Sequence, residues 1–330
     1  MLAFASYLGV IVRISRVRFV ACFVFLGVSC AIGLRGGDVV QTQQAAELSR
    51  STDDFSGTVD LGDGRKVYLE CRGTGRPTVI LESGLRTRGD NWSRADLLSH
   101  GGAPVLPDVA KFTRVCTYDR PGTTLNAGEV SRSDSAPMPR TATNVVLDLH
   151  KLLRAASIPG PYVLVGHSFG GLFVRLYAAT YPEEVSGLVL VDALAEQIKP
   201  LFTTADWTTF VGLNSGPLPG LENYAALEAI DFDMSFQQME REMTNPNNPP
   251  PKKIPTVILV RGLKVEMSAS APAKFGAILE PAWRRSEEQM AAVVPHVQLI
   301  IAKRSGHYIQ WDEPGLLVEA IRNVVRLTSQ

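Results

Sequence analysis

Apolar runs alternate with segments of helical periodicity from about residue 58 to the end of the chain. The runs predict strands over Thr58–Leu61, Lys66–Cys71, Pro77–Leu81, Arg114–Asp119, Tyr162–Val165, Gly187–Val191, Thr256–Val260 and Val297–Ala302. Apolar residues at every third or fourth position predict helices over Thr143–Ala156, Phe169–Tyr181 and Glu313–Leu327. Strands that are rich in Val, Ile and Leu throughout, and are separated by helices, indicate an α/β fold with a mostly parallel central sheet flanked by helices.

One stretch interrupts this alternation. No strong strand pattern occurs over residues 195–254, which hold many aromatic residues and methionines and end in a proline-rich run. A segment of this length is too long for a bare loop in a compact domain. We therefore expect a helical cap inserted before the penultimate strand, either as a mobile lid or as additional helical packing.

The N-terminus has a different pattern. Arg13, Arg16 and Arg18 precede the uncharged run Phe19–Leu34, which is shorter than the ~20 residues of a membrane-spanning helix. We predict a signal peptide or N-terminal anchor over residues 1–34, a polar linker over 35–55 and the folded domain over 56–330. This organisation predicts a secreted or cell-envelope protein, which could associate with a membrane through the N-terminal segment. Anchoring by residues 19–34 and lipidation at Cys30, which ends a weak lipobox-like sequence, are alternatives to cleavage.

The net charge bears on the partners of the protein, and the cysteines bear on its disulfide bonding. The chain has 33 basic and 33 acidic residues, so its net charge is zero and nucleic acid is not an expected partner. Cys22 and Cys30 lie in the predicted signal, whereas Cys71 and Cys116 lie in two predicted strands. The last two form either a disulfide, which an exported protein would retain, or a pair of buried thiols. No residue cluster has metal-binding spacing and no phosphate loop occurs, so we expect no metal and no cofactor.

The sequence Gly166–Gly171 (GHSFGG) carries the most specific chemistry. It contains a Gly-x-Ser-x-Gly motif that follows the apolar strand ending at Val165 and precedes the helix beginning at Phe169. In that context the motif forms a sharp turn that presents the serine hydroxyl above a sheet. We therefore expect Ser168 to be a nucleophile, with the N-terminus of the helix favouring negative charge beside it.

With this motif in place, the chain from about Thr58 to Leu327 resembles the α/β-hydrolase fold family, especially its esterase-like serine hydrolases. The segments that carry the resemblance, in the order typical of the family, are Glu82–Gly84, Tyr118–Gly122, Gly166–Gly171, Tyr181–Glu183, Leu188–Asp192 and Ser305–His307. The resemblance implies that His307, in a loop after the last strand, is the general base of Ser168.

The acid of the triad has two candidates. The family usually places an aspartate shortly after the strand that corresponds to Thr256–Val260, but here that loop holds only Glu266. A minority of relatives place the acid at the end of the preceding strand, where this chain has Asp192. We prefer Asp192 and keep Glu266 as the alternative. The resemblance further implies an oxyanion hole built from the backbone N–H groups of Leu85 and Phe169.

These residues predict a carboxylic-ester hydrolase that works through an acyl-enzyme on Ser168. The apolar composition of the predicted cap favours a small-molecule substrate with an apolar acyl or alcohol group. Two alternatives stay open. The same triad also serves amide or peptide hydrolysis of the proline-iminopeptidase kind, and the unsettled acid leaves open a non-catalytic ligand-binding module with a vestigial triad. The charged pair Asp119 and Arg120 is expected to hold a loop.

Overall fold

The computed structural model describes residues 54–245, 254–265, 267, 271–294 and 297–328. The predicted signal peptide or anchor, Cys30, most of the predicted linker and the alternative acid Glu266 lie outside the described residues. The first strand begins at Phe55, inside the end of the predicted linker.

The central sheet has eight strands within the described part of the chain, and a small two-stranded sheet lies beside it. The strands of the large sheet are β1 (Phe55–Asp60), β2 (Lys66–Arg72), β3 (Thr78–Glu82), β4 (Val115–Tyr118), β7 (Tyr162–His167), β8 (Val185–Val191), β9 (Thr256–Arg261) and β10 (Val297–Ala302). The small sheet consists of β5 (Thr124–Asn126) and β6 (Glu129–Val130).

The large sheet has the order β1-β2-β4-β3-β7-β8-β9-β10. The pairs β1–β2 and β2–β4 are antiparallel, and the remaining neighbours are parallel. The predicted α/β fold with a mostly parallel sheet is therefore confirmed. Because parallel neighbours all point the same way, the carboxyl ends of β3, β7, β8, β9 and β10 meet at one edge of the sheet.

Helices cover both faces of this sheet. They are α1 (Val105–Val109), α2 (Ala142–Ala155), α3 (Phe169–Thr180), α4 (Thr204–Ser215), α5 (Phe232–Thr244), α6 (Phe275–Val293), α7 (Ile309–Asp312) and α8 (Pro314–Thr328). Alternate strand residues enter two separate cores. Ile80 and Leu164 pack with α2 and α3 on one face, whereas Val79 and Val163 pack with α1 and α8 on the other. None of the helices in the described ranges is long and apolar enough to cross a membrane.

The stretch between β8 and β9 forms what we call the inserted segment, residues 193–245. It holds a 3-10 helix at Glu196–Leu201, the helices α4 and α5, and an irregular stretch over residues 216–231. Aromatic side chains of α4 and α5, among them Trp207, Phe210 and Phe236, are buried in the same core as α3. The described part of this segment thus packs against the sheet domain through an aromatic cluster.

A disulfide joins two neighbouring strands. Cys71 of β2 lies directly opposite Cys116 of β4 in the antiparallel register, and their sulfur atoms are 2.08 Å apart. Both residues are fully buried. The structure therefore has the disulfide and not the alternative pair of free thiols.

Candidate active site

Ser168 lies at the turn between β7 and α3. Its φ of +54° and ψ of −123° are uncommon for a residue with a side chain, as expected for a strained turn at a functional site. The Ser168 N–H donates to the Val191 carbonyl at 3.0 Å, and its own carbonyl accepts from Gly171 and Leu194 at 2.9 and 2.8 Å. These bonds hold the serine backbone rigidly at the carboxyl edge of the sheet.

His307 occupies the loop between β10 and α7. Its Nε2 atom lies 3.0 Å from the Ser168 Oγ, within hydrogen-bond distance. The Trp283 ring meets the imidazole edge-on, with 5.5 Å between the ring centres. Trp283 thus packs directly against the imidazole.

His167, which precedes the serine, supports His307 from behind. Its Nε2 lies 2.9 Å from the His307 carbonyl, and because a carbonyl only accepts, this nitrogen carries the proton. Burial, and secondly the neighbouring His307 ring, lowers the pKa of His167 to about 3. His167 is therefore a neutral donor that fixes the backbone of His307.

Asp192 directly follows β8 and reaches the other side of the imidazole. Its Oδ2 atom lies 2.6 Å from the His307 Nδ1, and the residue is fully buried. Asp192 has a φ of +42°, so the chain turns sharply there and aims the carboxylate at His307. The structure therefore brings together Ser168, His307 and Asp192, the three residues that the sequence analysis put forward.

Arg261, the last residue of β9, binds the same carboxylate. Its backbone N–H donates to Asp192 Oδ1 at 3.2 Å and its Nη1 donates to Oδ2 at 2.6 Å. Burial alone raises the pKa of Asp192, but the Arg261 charge and the hydrogen bond with His307 outweigh it and bring the pKa to about 2. Asp192 is thus ionised over the whole physiological range.

Glu287 of α6 is a second carboxyl at this place. It is buried, and its carboxyl group lies against that of Asp192. Within the described ranges, no hydrogen-bond donor binds its Oε1 atom. Burial, and secondly the Asp192 carboxylate, raises the pKa of Glu287 well above its usual range. Two carboxyl groups share a hydrogen bond only if one keeps its proton, so Glu287 is the protonated donor and Asp192 the acceptor.

The predicted oxyanion hole lies next to the serine. A Cβ atom built on Gly84 would lie 3.2 Å from the Ser168 Cβ and 2.9 Å from the His167 Nδ1, so only glycine fits this close to the turn. Leu85 follows directly, and Phe169 is the first residue of α3. Within the described ranges, no hydrogen bond takes up the backbone N–H of Leu85 or of Phe169. Both donors are available to a ligand.

Comparison with known proteins agrees with this geometry. The sequence profile described as "Alpha/beta hydrolase family" matches residues 79–320, which is more than half of the chain. The chain belongs to the alpha/beta hydrolase family. The uncharacterized protein YqjL of Bacillus subtilis (strain 168) is 25% identical over 265 residues, which cover 79% of this chain and 89% of YqjL. Lipase 1 of Psychrobacter immobilis is 28% identical over 183 residues, covering 54% and 52% of the two chains.

Solved structures share the fold. Carboxylesterase CesB (YbfK) from Bacillus subtilis superposes with a TM-score of 0.54 at 16% identity, over 86% of this chain and 97% of that one. Several other curated relatives are much longer proteins, of which the chain spans about a fifth to a quarter. Membership of this family, together with similarity to an esterase and a lipase, supports hydrolase activity for this chain.

Ser83 anchors the loop before Leu85, because its Oγ accepts hydrogen bonds from Asn91 and Trp92 at 2.8 and 3.0 Å. The strand end that usually leads to the acid carries Arg261 instead. Because Glu266 lies outside the described residues, the choice of Asp192 over Glu266 stays a prediction, which the Asp192–His307 contact favours.

Sequence reasoning did not identify Arg261, Glu287 or the supporting role of His167. The signal for Arg261 was present, as a cation at the end of the strand that usually leads to the acid. Asp119 holds a loop, as expected, since it accepts from the Arg132 side chain at 2.7 and 2.8 Å and from the Gly89 N–H at 3.1 Å. The described residues contain no group of three or more His, Cys, Asp or Glu that could hold a metal ion.

Proposed function

We propose that this protein is a serine hydrolase that cleaves carboxylic esters through an acyl-enzyme on Ser168. The observation that supports it best is the continuous chain of contacts from Ser168 Oγ to His307 Nε2 at 3.0 Å and from His307 Nδ1 to Asp192 Oδ2 at 2.6 Å. A serine, a histidine and a carboxylate in this order form the arrangement that makes a serine hydroxyl nucleophilic.

In the first half-reaction, His307 Nε2 takes the proton of Ser168 while Oγ bonds to the ester carbonyl carbon. The carbonyl oxygen becomes an oxyanion, which accepts from the N–H groups of Leu85 and Phe169. Asp192 stabilises the imidazolium through Nδ1. His307 then gives the proton to the alcohol oxygen as the C–O bond breaks, which leaves an acyl group on Ser168.

In the second half-reaction, water takes the place of the alcohol. His307 accepts a proton from the water, the water oxygen bonds to the acyl carbon, and the proton returns to Ser168 Oγ as the acid leaves. No cofactor is required for either half-reaction.

The surroundings of the serine favour an apolar group in the substrate. Leu194, whose N–H binds the Ser168 carbonyl, is buried, and Leu85 is half-buried against the same core. Half-buried apolar side chains of the inserted segment, Phe202, Val211 and Leu213, belong to that core as well. Pockets for small ligands are mostly lined by such residues. Two of the similar proteins are named a lipase and a carboxylesterase.

We further propose that the protein acts outside the cytoplasm, in the cell envelope or after secretion. The Cys71–Cys116 disulfide supports this proposal because disulfides persist in oxidising compartments. The apolar segment at residues 19–34 supports it independently of the disulfide.

Turnover of p-nitrophenyl esters of increasing acyl length tests the ester activity. Purified wild type should hydrolyse them, Ser168→Ala should not, and Ser186→Ala is a matched control, because Ser186 only binds the Tyr162 carbonyl in β7. Aminoacyl p-nitroanilides test the amide-hydrolase alternative in the same assay. Faster turnover of the anilides would contradict ester specificity, and turnover of neither by folded wild type would favour the binding-module alternative.

A further inference from the structure

The oxyanion loop, which we define as residues 83–86, is held by a cation beneath it. Arg120 Nη1 donates to the Ser83 carbonyl at 2.8 Å, and Nη2 donates to the Gly84 carbonyl at 2.7 Å. The Gly84–Leu85 peptide is planar and trans, so the Leu85 N–H points opposite to the Gly84 carbonyl. By holding that carbonyl, Arg120 turns the Leu85 N–H away from itself.

Arg120 is in turn fixed by buried carboxylates. Glu82, at the end of β3, binds Nη1. Glu228, from the irregular stretch of the inserted segment, accepts from Nε through Oε1 at 2.6 Å and from Nη2 through Oε2 at 2.9 Å. Arg120 is 2% exposed and Glu228 is fully buried, so both charges depend on each other for neutralisation.

Glu228 also binds the oxyanion loop directly. Its Oε2 atom accepts from the Arg86 N–H at 2.6 Å, immediately after Leu85. The Arg86 side chain reaches back into the inserted segment, where it donates to the carbonyls of Glu228 and Ser215 at 2.9 and 3.0 Å. The inserted segment therefore contacts the loop on both sides of the Leu85 N–H, through Arg120 before it and through Arg86 after it.

The inserted segment lies directly on the backbone here. The Glu228 N–H donates to the Gly122 carbonyl at 2.9 Å, and a Cβ atom on Gly122 would lie only 2.1 Å from the Ala226 carbonyl oxygen. No side chain separates the two stretches, so residues 226–228 cannot shift without breaking these contacts. Their position sets the position of the Glu228 carboxylate.

We propose that Glu228, acting through Arg120 and the Arg86 N–H, is a positioning residue that aims the Leu85 N–H into the oxyanion hole. The inserted segment thereby completes the catalytic site instead of only covering it. This inference rests on the proposed function for its catalytic consequence, but its geometric part concerns the loop alone.

The Glu228→Gln variant tests the proposal with little change of shape. The glutamine has one oxygen and one NH₂ group in place of two carboxylate oxygens. If the NH₂ group takes the place of Oε2, it meets the donors Arg120 Nη2 and Arg86 N–H; if it takes the place of Oε1, it meets the donor Arg120 Nε. In either orientation, donors face each other and one side of the network must open. A misplaced oxyanion donor should lower kcat by about 10²-fold, and the KM for p-nitrophenyl esters should hardly change, since the ester carbonyl in the ground state carries little charge.

The matched control is Glu196→Gln. Glu196 forms a buried two-bonded pair with Arg175, at 2.7 and 2.9 Å, and neither residue contacts the oxyanion loop. An alkyl trifluoromethyl ketone, which forms an oxyanion on the serine, should bind Glu228→Gln about 10²-fold more weakly than wild type. The corresponding methyl ketone should bind both equally. Equal kcat in Glu228→Gln and Glu196→Gln would overturn the proposal.

Hydrogen exchange of the loop gives a readout that needs no turnover. Mass spectrometry of the peptide spanning residues 83–88 should show faster exchange in Glu228→Gln and unchanged exchange in Glu196→Gln. If Glu228→Gln does not fold, the Glu228→Asp variant keeps the buried negative charge but shortens its reach to Arg120 and the Arg86 N–H, and it is compared with Glu196→Asp in the same way. Wild type without ester turnover would refute the proposed function, whereas unchanged exchange would refute the positioning role.

Discussion

The Asp192 carboxylate is held from three directions: by the His307 imidazole, by the Arg261 guanidinium and backbone N–H, and by the Glu287 carboxyl. Arg261 withdraws part of the negative charge that would otherwise act on His307 alone. Glu287 donates a neutral hydrogen bond without adding a second charge. Together they fix the direction of the carboxylate, which one contact to an imidazole would not do.

Replacing Asp192 by Asn should lower kcat by about 10³- to 10⁴-fold, because an amide cannot stabilise the imidazolium and favours the wrong tautomer. Steady-state hydrolysis of p-nitrophenyl esters measures it. Asp148→Asn is the matched control, since Asp148 binds Arg65 and Arg140 and does not contact the triad. Glu266→Gln should do little. A large loss in Glu266→Gln with near-normal Asp192→Asn would show that our choice of the acid is wrong.

The protonated state of Glu287 makes stability depend on pH. Its folded pKa is raised, so above pH 4.5, the usual pKa, the folded protein holds a proton that the unfolded chain releases. The free energy of unfolding then falls as pH rises, by up to about 1.4 kcal/mol per pH unit until the folded pKa is reached. Burial contributes most to the raised pKa of Glu287, the neighbouring Asp192 carboxylate raises it further, and Arg261 and Arg284 lower it in part.

The Glu287→Gln variant, which still donates to Asp192 but does not ionise, should be more stable than wild type at pH 8, and the difference should shrink toward pH 4. Urea unfolding across this range measures it. Glu196→Gln should show the opposite dependence, because Arg175 outweighs burial and lowers the pKa of Glu196. The ionised Glu196 of wild type stabilises the fold above pH 4.5, and this stabilisation is lost as pH falls. The variant should therefore be less stable than wild type at pH 8, and the difference should shrink at low pH. A difference in the free energy of unfolding between Glu287→Gln and wild type that is equal at every pH would contradict a protonated Glu287.

At the scale of elements, the disulfide fastens the antiparallel side of the sheet. It links the directly opposed positions of β2 and β4, which are 45 residues apart along the chain. These strands lie on the side of β3 away from β7, so the disulfide supports the sheet without contacting the serine turn.

Removing the disulfide in a Cys71→Ala/Cys116→Ala variant should therefore lower the free energy of unfolding by about 3–4 kcal/mol, while the kcat of the folded variant stays close to that of wild type. Urea unfolding and ester turnover measured on the same preparation check both parts. A variant of unchanged stability, or one that folds but loses turnover, would contradict this separation of the β2–β4 link from the site.

The elements that sequence pattern predicted are those with continuous apolar runs. The predicted strand Val297–Ala302 matches β10, and the predicted helix Phe169–Tyr181 differs from α3 by one residue. The sequence analysis missed α6, whose interior holds Pro281 and whose buried face is interrupted by Ser286 and Glu287. The residue that contacts Asp192 is thus one of those that obscure the helical pattern.

The candidate site was predictable only in part, for a physical reason. Motifs mark residues that follow strands, so Ser168, Asp192 and His307 could be named from the sequence. Contacts between distant elements leave no local pattern, which is why the partners Arg261 and Glu228 emerged only from the structure. The sequence analysis expected Arg120 to hold a loop, but it did not identify that loop as the one that carries the Leu85 N–H.

At the scale of the whole molecule, the parallel sheet assembles the site. Ser168, Asp192 and His307 follow β7, β8 and β10. Along the chain, His307 is 139 residues from Ser168 and 115 residues from Asp192. Since parallel strands end at one edge, three short loops meet there without any long connection to guide them. At this edge, the inserted segment supports the oxyanion loop through Glu228.

The proposed location outside the cytoplasm leads to a prediction about the mature chain. We expect that intact and peptide mass spectrometry of the protein from its native host finds an N-terminus beyond residue 30, because a secretory signal is removed on export. A lipid-sized mass on Cys30 would show the lipidated alternative. An intact segment through Leu34 would contradict secretion and favour the membrane anchor.

The central claim, an activated serine with His307 as its base, is tested most directly by labelling with a fluorophosphonate probe. Wild type should be labelled, with the adduct mapped to Ser168 by peptide mass spectrometry, while Ser168→Ala and His307→Ala should not be labelled. His150→Ala should label like wild type, since His150 stacks on Tyr181, remote from the serine turn. Labelling that persists in folded Ser168→Ala, or folded wild type that takes up no probe, would contradict the account.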